Sequence, residues 1–176
     1  MKKFAFSLVE IVITLAIVIV VFYISLPSLN FINRFILQNE ANKLFSVFSF
    51  LQYRAIASNK EQKLFFDLKN KCCSYNKSKR KKILYKVPNC IEFGFLKNTK
   101  GPPSSPSKKI IFPITFKKNK KGNYFVTFFP NGKVSPGTIY LVDKEKRFMV
   151  AVTCPISKIS FIRKYRYDNG QWICLK

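Results

Sequence analysis

Histidine is absent from the 176-residue chain, and acids are scarce, 8 Asp and Glu against 32 Lys and Arg. Without histidine the chain lacks the usual general base and the commonest zinc ligand. Eight acids place no paired carboxylates at a useful spacing, and 6 glycines provide no phosphate-cradling loop. These shortages argue against an enzyme and imply no cofactor and no metal. Cys-x-x-Cys is missing too: the five cysteines stand at 72, 73, 90, 154 and 174, and the adjacent Cys72-Cys73 pair does not suit a zinc site.

What is present is positive charge and apolar bulk. The net charge of +24 points toward polyanions such as nucleic acid, anionic lipid or acidic surface polymers. Lysine supplies 26 of the 32 basic residues, and Phe, Ile and Asn are also abundant. All four are encoded by A/T-rich codons, so genome composition is a second explanation of the charge, and the sequence leaves both open. Hydrophobic residues make up 48%, ample for a core, and the length suits one domain plus an anchor.

The apolar bulk begins at once, in MKKFAFSLVEIVITLAIVIVVFYISLP. From Phe6 to Leu29 the only charge is Glu10; as a helix this run reaches about 36 Å, enough to cross a hydrocarbon core of about 30 Å. Lys2 and Lys3 fix the short end in the cytoplasm. A removable secretory signal would end in a small-x-small cleavage site, and Ile24-Ser25-Leu26-Pro27-Ser28 is a poor one. Nor would a plain anchor keep an acid that costs about 2.5–3.5 kcal/mol near a helix centre, so Glu10 calls for a partner.

Phe6-Ser7-Leu8-Val9-Glu10, behind a short basic leader, resembles the class III signal of type IV pilins and type II secretion pseudopilins. The resemblance implies cleavage by prepilin peptidase between Ala5 and Phe6, with 1–5 as the leader. Phe6 becomes the N-methylated terminus, 6–29 the transmembrane and assembly helix, and Glu10 the acid that meets the Phe6 amine of a neighbouring subunit. Ala5 stands where the family usually has Gly. Pro27 falls where many pilins have a helix-loosening proline.

Beyond Pro27, Leu37, Ala41, Leu44, Phe48, Leu51 and Ala55 form a helical stripe. One long helix is therefore expected over about 6–58, its amphipathic part at 30–58. A β-rich segment over 63–176 follows, with strands in KLFFDLK, ILYKV, CIEFGF, IIFPITF, NYFVTFFP, TIYLVD, RFMVAVT and KISFIRKYRY. Pro113 makes its run an edge or broken strand. Pro130-Asn131-Gly132 and Ser135-Pro136-Gly137 signal turns, and 69–82 and 98–109 read as loops.

The expected fold class is thus α+β: a long N-terminal helix packed on an antiparallel sheet, the pilin layout, with 30–176 as a periplasmic globular domain. Within that layout the chain resembles the GspH/FimT minor pilins, through Arg54, Ala55 and Ala57 at the helix end, Phe129 and Gly132, then Ile139 and Leu141. The resemblance implies a minor pilin or pseudopilin, single-pass in the inner membrane, which joins or primes a type II secretion pseudopilus or type IV pilus. Its partners would be prepilin peptidase, other (pseudo)pilin subunits and the inner-membrane assembly platform.

Some members of that family capture DNA for uptake. Arg163, Lys164 and Arg166, interleaved with Tyr165, Tyr167 and Trp172, are candidate DNA contacts, which makes a DNA-binding pilin the alternative function. A strand with one apolar and one solvated face is the competing reading of those residues. Cys154 with Cys174, and Cys90 with Cys72 or Cys73, are candidate disulfides, against the simpler reading of free thiols.

Overall fold

The computed structural model describes residues 7–25, 29–77, 80–102, 106–120, 122–155 and 161–175. Two helices come first, α1 (Leu8–Ser25) and α2 (Leu29–Ser58). The single helix expected over 6–58 is thus seen as two described helices; Pro27 lies outside the described residues. The chain forms two compact units, one ending at Ile32 and one running from Asn33 to Lys176. Among the described residues no helix is long and apolar enough to cross a membrane. The apolar α1 has 18 residues, about 27 Å, and the expected span extends onto residues 6 and 26–28, which are not described.

The second unit is built on the stripe of α2. Leu37, Ala41, Leu44, Phe48, Leu51 and Ala55 are all buried. The helix ends because Asn59 adopts a left-handed φ of 49°. Lys60 N then donates to Ala55 O and Asn59 N to Ile56 O, both at 3.2 Å, closing the paired C-terminal cap bonds.

Among the described residues ten strands follow: β1 (Gln62–Asp67), β2 (Cys72–Lys77), β3 (Arg80–Lys86), β4 (Ile91–Phe93), β5 (Lys117–Lys118), β6 (Tyr124–Phe128), β7 (Gly137–Asp143), β8 (Met149–Cys154), β9 (Arg163–Asp168) and β10 (Gln171–Leu175). They make two five-stranded antiparallel sheets, ordered β3-β2-β1-β6-β5 and β10-β9-β8-β7-β4. The α+β class is therefore as expected, with two sheets rather than one.

One core joins all three layers of this unit. Leu44, Phe48 and Leu51 of α2 meet Leu64, Phe66, Val126 and Phe128 of the first sheet and Ile139, Leu141, Val150 and Val152 of the second. Phe48 lies within 5.5–6.4 Å, centroid to centroid, of Phe66, Phe116 and Phe128. The opposite face of the second sheet carries a smaller cluster of Tyr140, Val142, Met149, Ala151 and Tyr165, packed by Phe95, Leu96, Ile110 and Trp172.

Two details correct the expectations and one agrees with them. The basic stretch 69–82 is not a loop: most of it lies in the β2–β3 hairpin, which buries Cys73, Tyr75 and Tyr85 in the core. IIFPITF is the broken strand that Pro113 implies: Ile114 bridges to Ile139 of β7, and Thr115 N donates to Thr138 O at 2.9 Å. Gly137 opens β7 instead of serving a turn, and a Cβ there would stand 2.4 Å from the Phe116 ring.

Candidate functional site

The first unit presents α1. Ser7 caps it: Ser7 Oγ accepts from Val9 N at 3.3 Å, and Ser7 O accepts from Ile11 N at 3.2 Å. Glu10 is therefore the third helical residue, at the Ser-x-x-Glu spacing of a capping box, where the helix N-terminus favours negative charge. Thr14 turns its hydroxyl back onto Glu10 O and Ile11 O, each at 2.9 Å, and so keeps that polar group off the apolar surface.

Every residue from Ser7 to Ile24 is exposed, Leu8 at 79% and Tyr23 at 82%. A helix apolar on all sides belongs in lipid or among other helices. Glu10 is the one ionic group it offers there. Ala5 and Phe6, the expected cleavage and methylation positions, lie outside the described residues.

On α2, Phe35 (65% exposed), Phe50 (50%) and Tyr53 (74%) stand opposite the buried stripe. Arg54 turns inward and donates to Tyr75 Oη at 2.7 Å, and its guanidinium lies 5.1 Å from that ring centre. Gln52 Nε2 donates to Gly132 O at 2.7 Å, tying the helix to the Phe129–Lys133 turn, where Gly132 has φ 78°. The helix-end and Phe129/Gly132 segments singled out in the sequence are thus joined by side chains of α2.

The three candidate DNA contacts do not form one free surface. All lie on β9, but Arg163 points to one side and Lys164 and Arg166 to the other. Lys164 Nζ donates to Asn42 Oδ1 at 2.9 Å and lies 4.9 Å from the Phe45 ring centre. Asp168 pairs with both Arg34 and, at 3.5 Å, Arg166. Lys164 and Arg166 are therefore engaged on the α2 side of the sheet and Arg163 with Tyr165 on the other, as alternation along a half-buried strand produces.

All five cysteines are free thiols. This corrects the expected staples. Cys174 of β10 is registered through Tyr165 of β9 to Ala151 of β8, so β9 separates it from the strand carrying Cys154. Two strand spacings are about 9.6 Å, beyond the reach of a disulfide. Cys72 faces Lys86 across the β2–β3 ladder, and Cys73 is buried while Cys90 is exposed. Burial pushes the Cys154 thiol up to about 12 and raises that of Cys73.

Sequence reasoning missed a buried carboxylate. Glu40 lies on the core side of α2, 2% exposed, accepting from Tyr85 Oη and Lys43 Nζ, each at 2.6 Å. Its spacing, three residues after Leu37 and four before Leu44 of the stripe, is the signal that places it inward. Among the described residues no group of three or more Cys, Asp or Glu is placed to hold a metal ion.

No family model, curated protein or solved structure matches the chain. The chain offers an apolar helix exposed on every side, with one carboxylate in its first turn, and a globular unit.

Proposed function

We propose that the chain is a minor pilin-like subunit, cut between Ala5 and Phe6 by prepilin peptidase, methylated at Phe6 and built into or onto the tip of a type II secretion pseudopilus or type IV pilus. Before assembly it is held in the inner membrane by the 6–29 segment, with its N-terminus cytoplasmic and its globular unit periplasmic. The observation that carries this reading is Glu10, the lone charge on a wholly exposed apolar helix.

In a bundle of such helices the new Phe6 amine is a buried cation. Leaving it unpaired costs several kcal/mol, and a carboxylate four residues along a neighbouring helix offsets that cost only at one axial stagger. Register between subunits thus follows from one ion pair. DNA capture draws less support, because Lys164 and Arg166 are held by Asn42, Phe45 and Asp168.

Mass spectrometry of the protein isolated from its membrane tests the reading. The expected N-terminus is methylated Phe6; a chain that keeps Met1 and the leader overturns it.

A further inference from the structure

Of the four sheet edges, three are poor templates for another strand. β3 carries Arg80, Lys81, Lys82 and Lys86; β5 has two residues, both Lys; β4 has three, with Glu92 paired to Lys71 at 3.1 Å. Lysines and shortness are how edge strands avoid unwanted pairing. β10, Gln171-Trp172-Ile173-Cys174-Leu175, has neither protection, since its five residues carry no charge and no proline.

The β10 edge is also presented as a finished template. Asn169 and Gly170, at φ 47° and 82°, form a two-residue hairpin loop, which makes Asp168–Gln171 a hydrogen-bonded pair. Pairs then alternate, so Gln171, Ile173 and Leu175 bond to β9 while Trp172 and Cys174 turn their N–H and C=O outward. Trp172 is fixed in place: its Nε1–H donates to Lys100 O at 2.9 Å, and its ring lies 5.1 Å from Tyr167 and 6.0 Å from Tyr140. Ile173, 42% exposed, offers an apolar contact to a neighbouring strand.

Charge selects the occupant. A strand added to β10 lies two strand spacings, about 10 Å, from β9, within roughly one Debye length of Arg163 and Lys164. The acid of this hairpin, Asp168, is shared by Arg34 and Arg166. A second copy of the chain brings another +24 into that field and is repelled, whereas an acidic segment is attracted.

We propose that the β10 edge docks an extended, acidic polypeptide segment, which adds as a sixth strand to the second sheet. This stands apart from the assembly role of Glu10, which involves only α1.

Fluorescence anisotropy on the full chain in detergent, with the labelled peptide Glu-Val-Thr-Val-Glu-Val-Glu and its Glu→Lys counterpart, tests the proposal together with hydrogen exchange of β10. The acidic peptide is expected to bind roughly tenfold or more tighter than the basic one and to slow exchange at Trp172 and Cys174. Cys174→Pro removes an outward N–H without touching the β9 ladder, so it should lose binding while Cys174→Ser keeps it. No protection of β10, equal binding of the two peptides, or binding by Cys174→Pro equal to that by Cys174→Ser overturns the proposal. So does protection that appears without peptide and grows with protein concentration, which makes a second copy the occupant.

Discussion

The hydroxyl of Tyr85 on β3 lies 2.6 Å from the carboxylate of Glu40 on α2, and this bond joins the outermost strand of the first sheet to the central helix. Glu40 is buried, so its oxygens depend on Tyr85 and Lys43 in place of water. Tyr85→Phe deletes one of those donors and nothing else. The expected loss is about 1–3 kcal/mol, a fall of roughly 2–4 °C in melting temperature per kcal/mol for a unit of this size. Thermal denaturation followed by circular dichroism reads it; an unchanged midpoint would show that Glu40 finds another donor.

The same burial sets an alkaline limit. Desolvation first, then the Glu40 carboxylate, raises the Tyr85 hydroxyl far above its ordinary value of 10. Burial pushes Tyr140 up to about 12. Both groups hold their protons in the fold at a pH where the unfolded chain releases them. Their contribution is therefore complete below pH 10 and declines as pH rises above it. The melting temperature should fall progressively between pH 10 and 12, and less steeply in Tyr140→Phe than in the parent chain. Parallel slopes would remove Tyr140 from this account.

Close packing at the start of β7 gives a third expectation. A Cβ on Gly137 meets the Phe116 ring at 2.4 Å, and that ring is held between Phe48 and Phe66. Gly137→Ala should therefore cost about 1–3 kcal/mol through overpacking. Gly137 does not adopt a positive φ, so the clash is the whole expected effect. A chemical-denaturation midpoint for Gly137→Ala equal to that of the parent chain would mean Phe116 yields freely.

The period-3.6 stripe on α2 was legible because all six of its positions face one core, and nothing competes with that pattern. The strands from Tyr124 to Cys154 were legible for a related reason: they are central and covered on their apolar face. The β2–β3 hairpin was not, because the lysines clustered over 69–82 interrupt any apolar alternation, so its strands read as a charged loop. β10 was overlooked on similar grounds, five residues at a sheet edge with no alternation to mark them. Disulfide expectations failed because spacing along the chain says nothing of an intervening strand. Of the candidate site, Glu10 stood out as a lone acid in an apolar run, but Glu40 gained its meaning only when Tyr85 was placed beside it.

Thiol reactivity follows from the same geometry. Cys90 and Cys174 are exposed, whereas Cys72, Cys73 and Cys154 are buried. A disulfide-exchange reagent should titrate two thiols rapidly in the folded chain and all five after unfolding. Burial also disfavours the reactive thiolate of Cys154 and Cys73. Fewer than five thiols in unreduced, denatured protein would show that disulfides form, against the free thiols described above.

On the pilin-like reading proposed above, Glu10 has two separable roles in a single helix. At the third position of α1 it favours the helix N-terminus by about 0.3–1 kcal/mol, a contribution that Glu10→Ala would forfeit with little effect on a segment this apolar. If it pairs with a neighbouring Phe6 amine, as proposed, its removal leaves a buried cation unpaired, at several kcal/mol per subunit contact. The two magnitudes make different forecasts. Membrane fractionation should find Glu10→Ala inserted and processed like the parent, while pull-down of sheared filaments should recover little of it. Glu10→Gln retains the shape but not the charge, and it should fail at the same step. If both variants enter filaments at parental levels, helix capping is the whole role of Glu10 and subunit register is set elsewhere on α1.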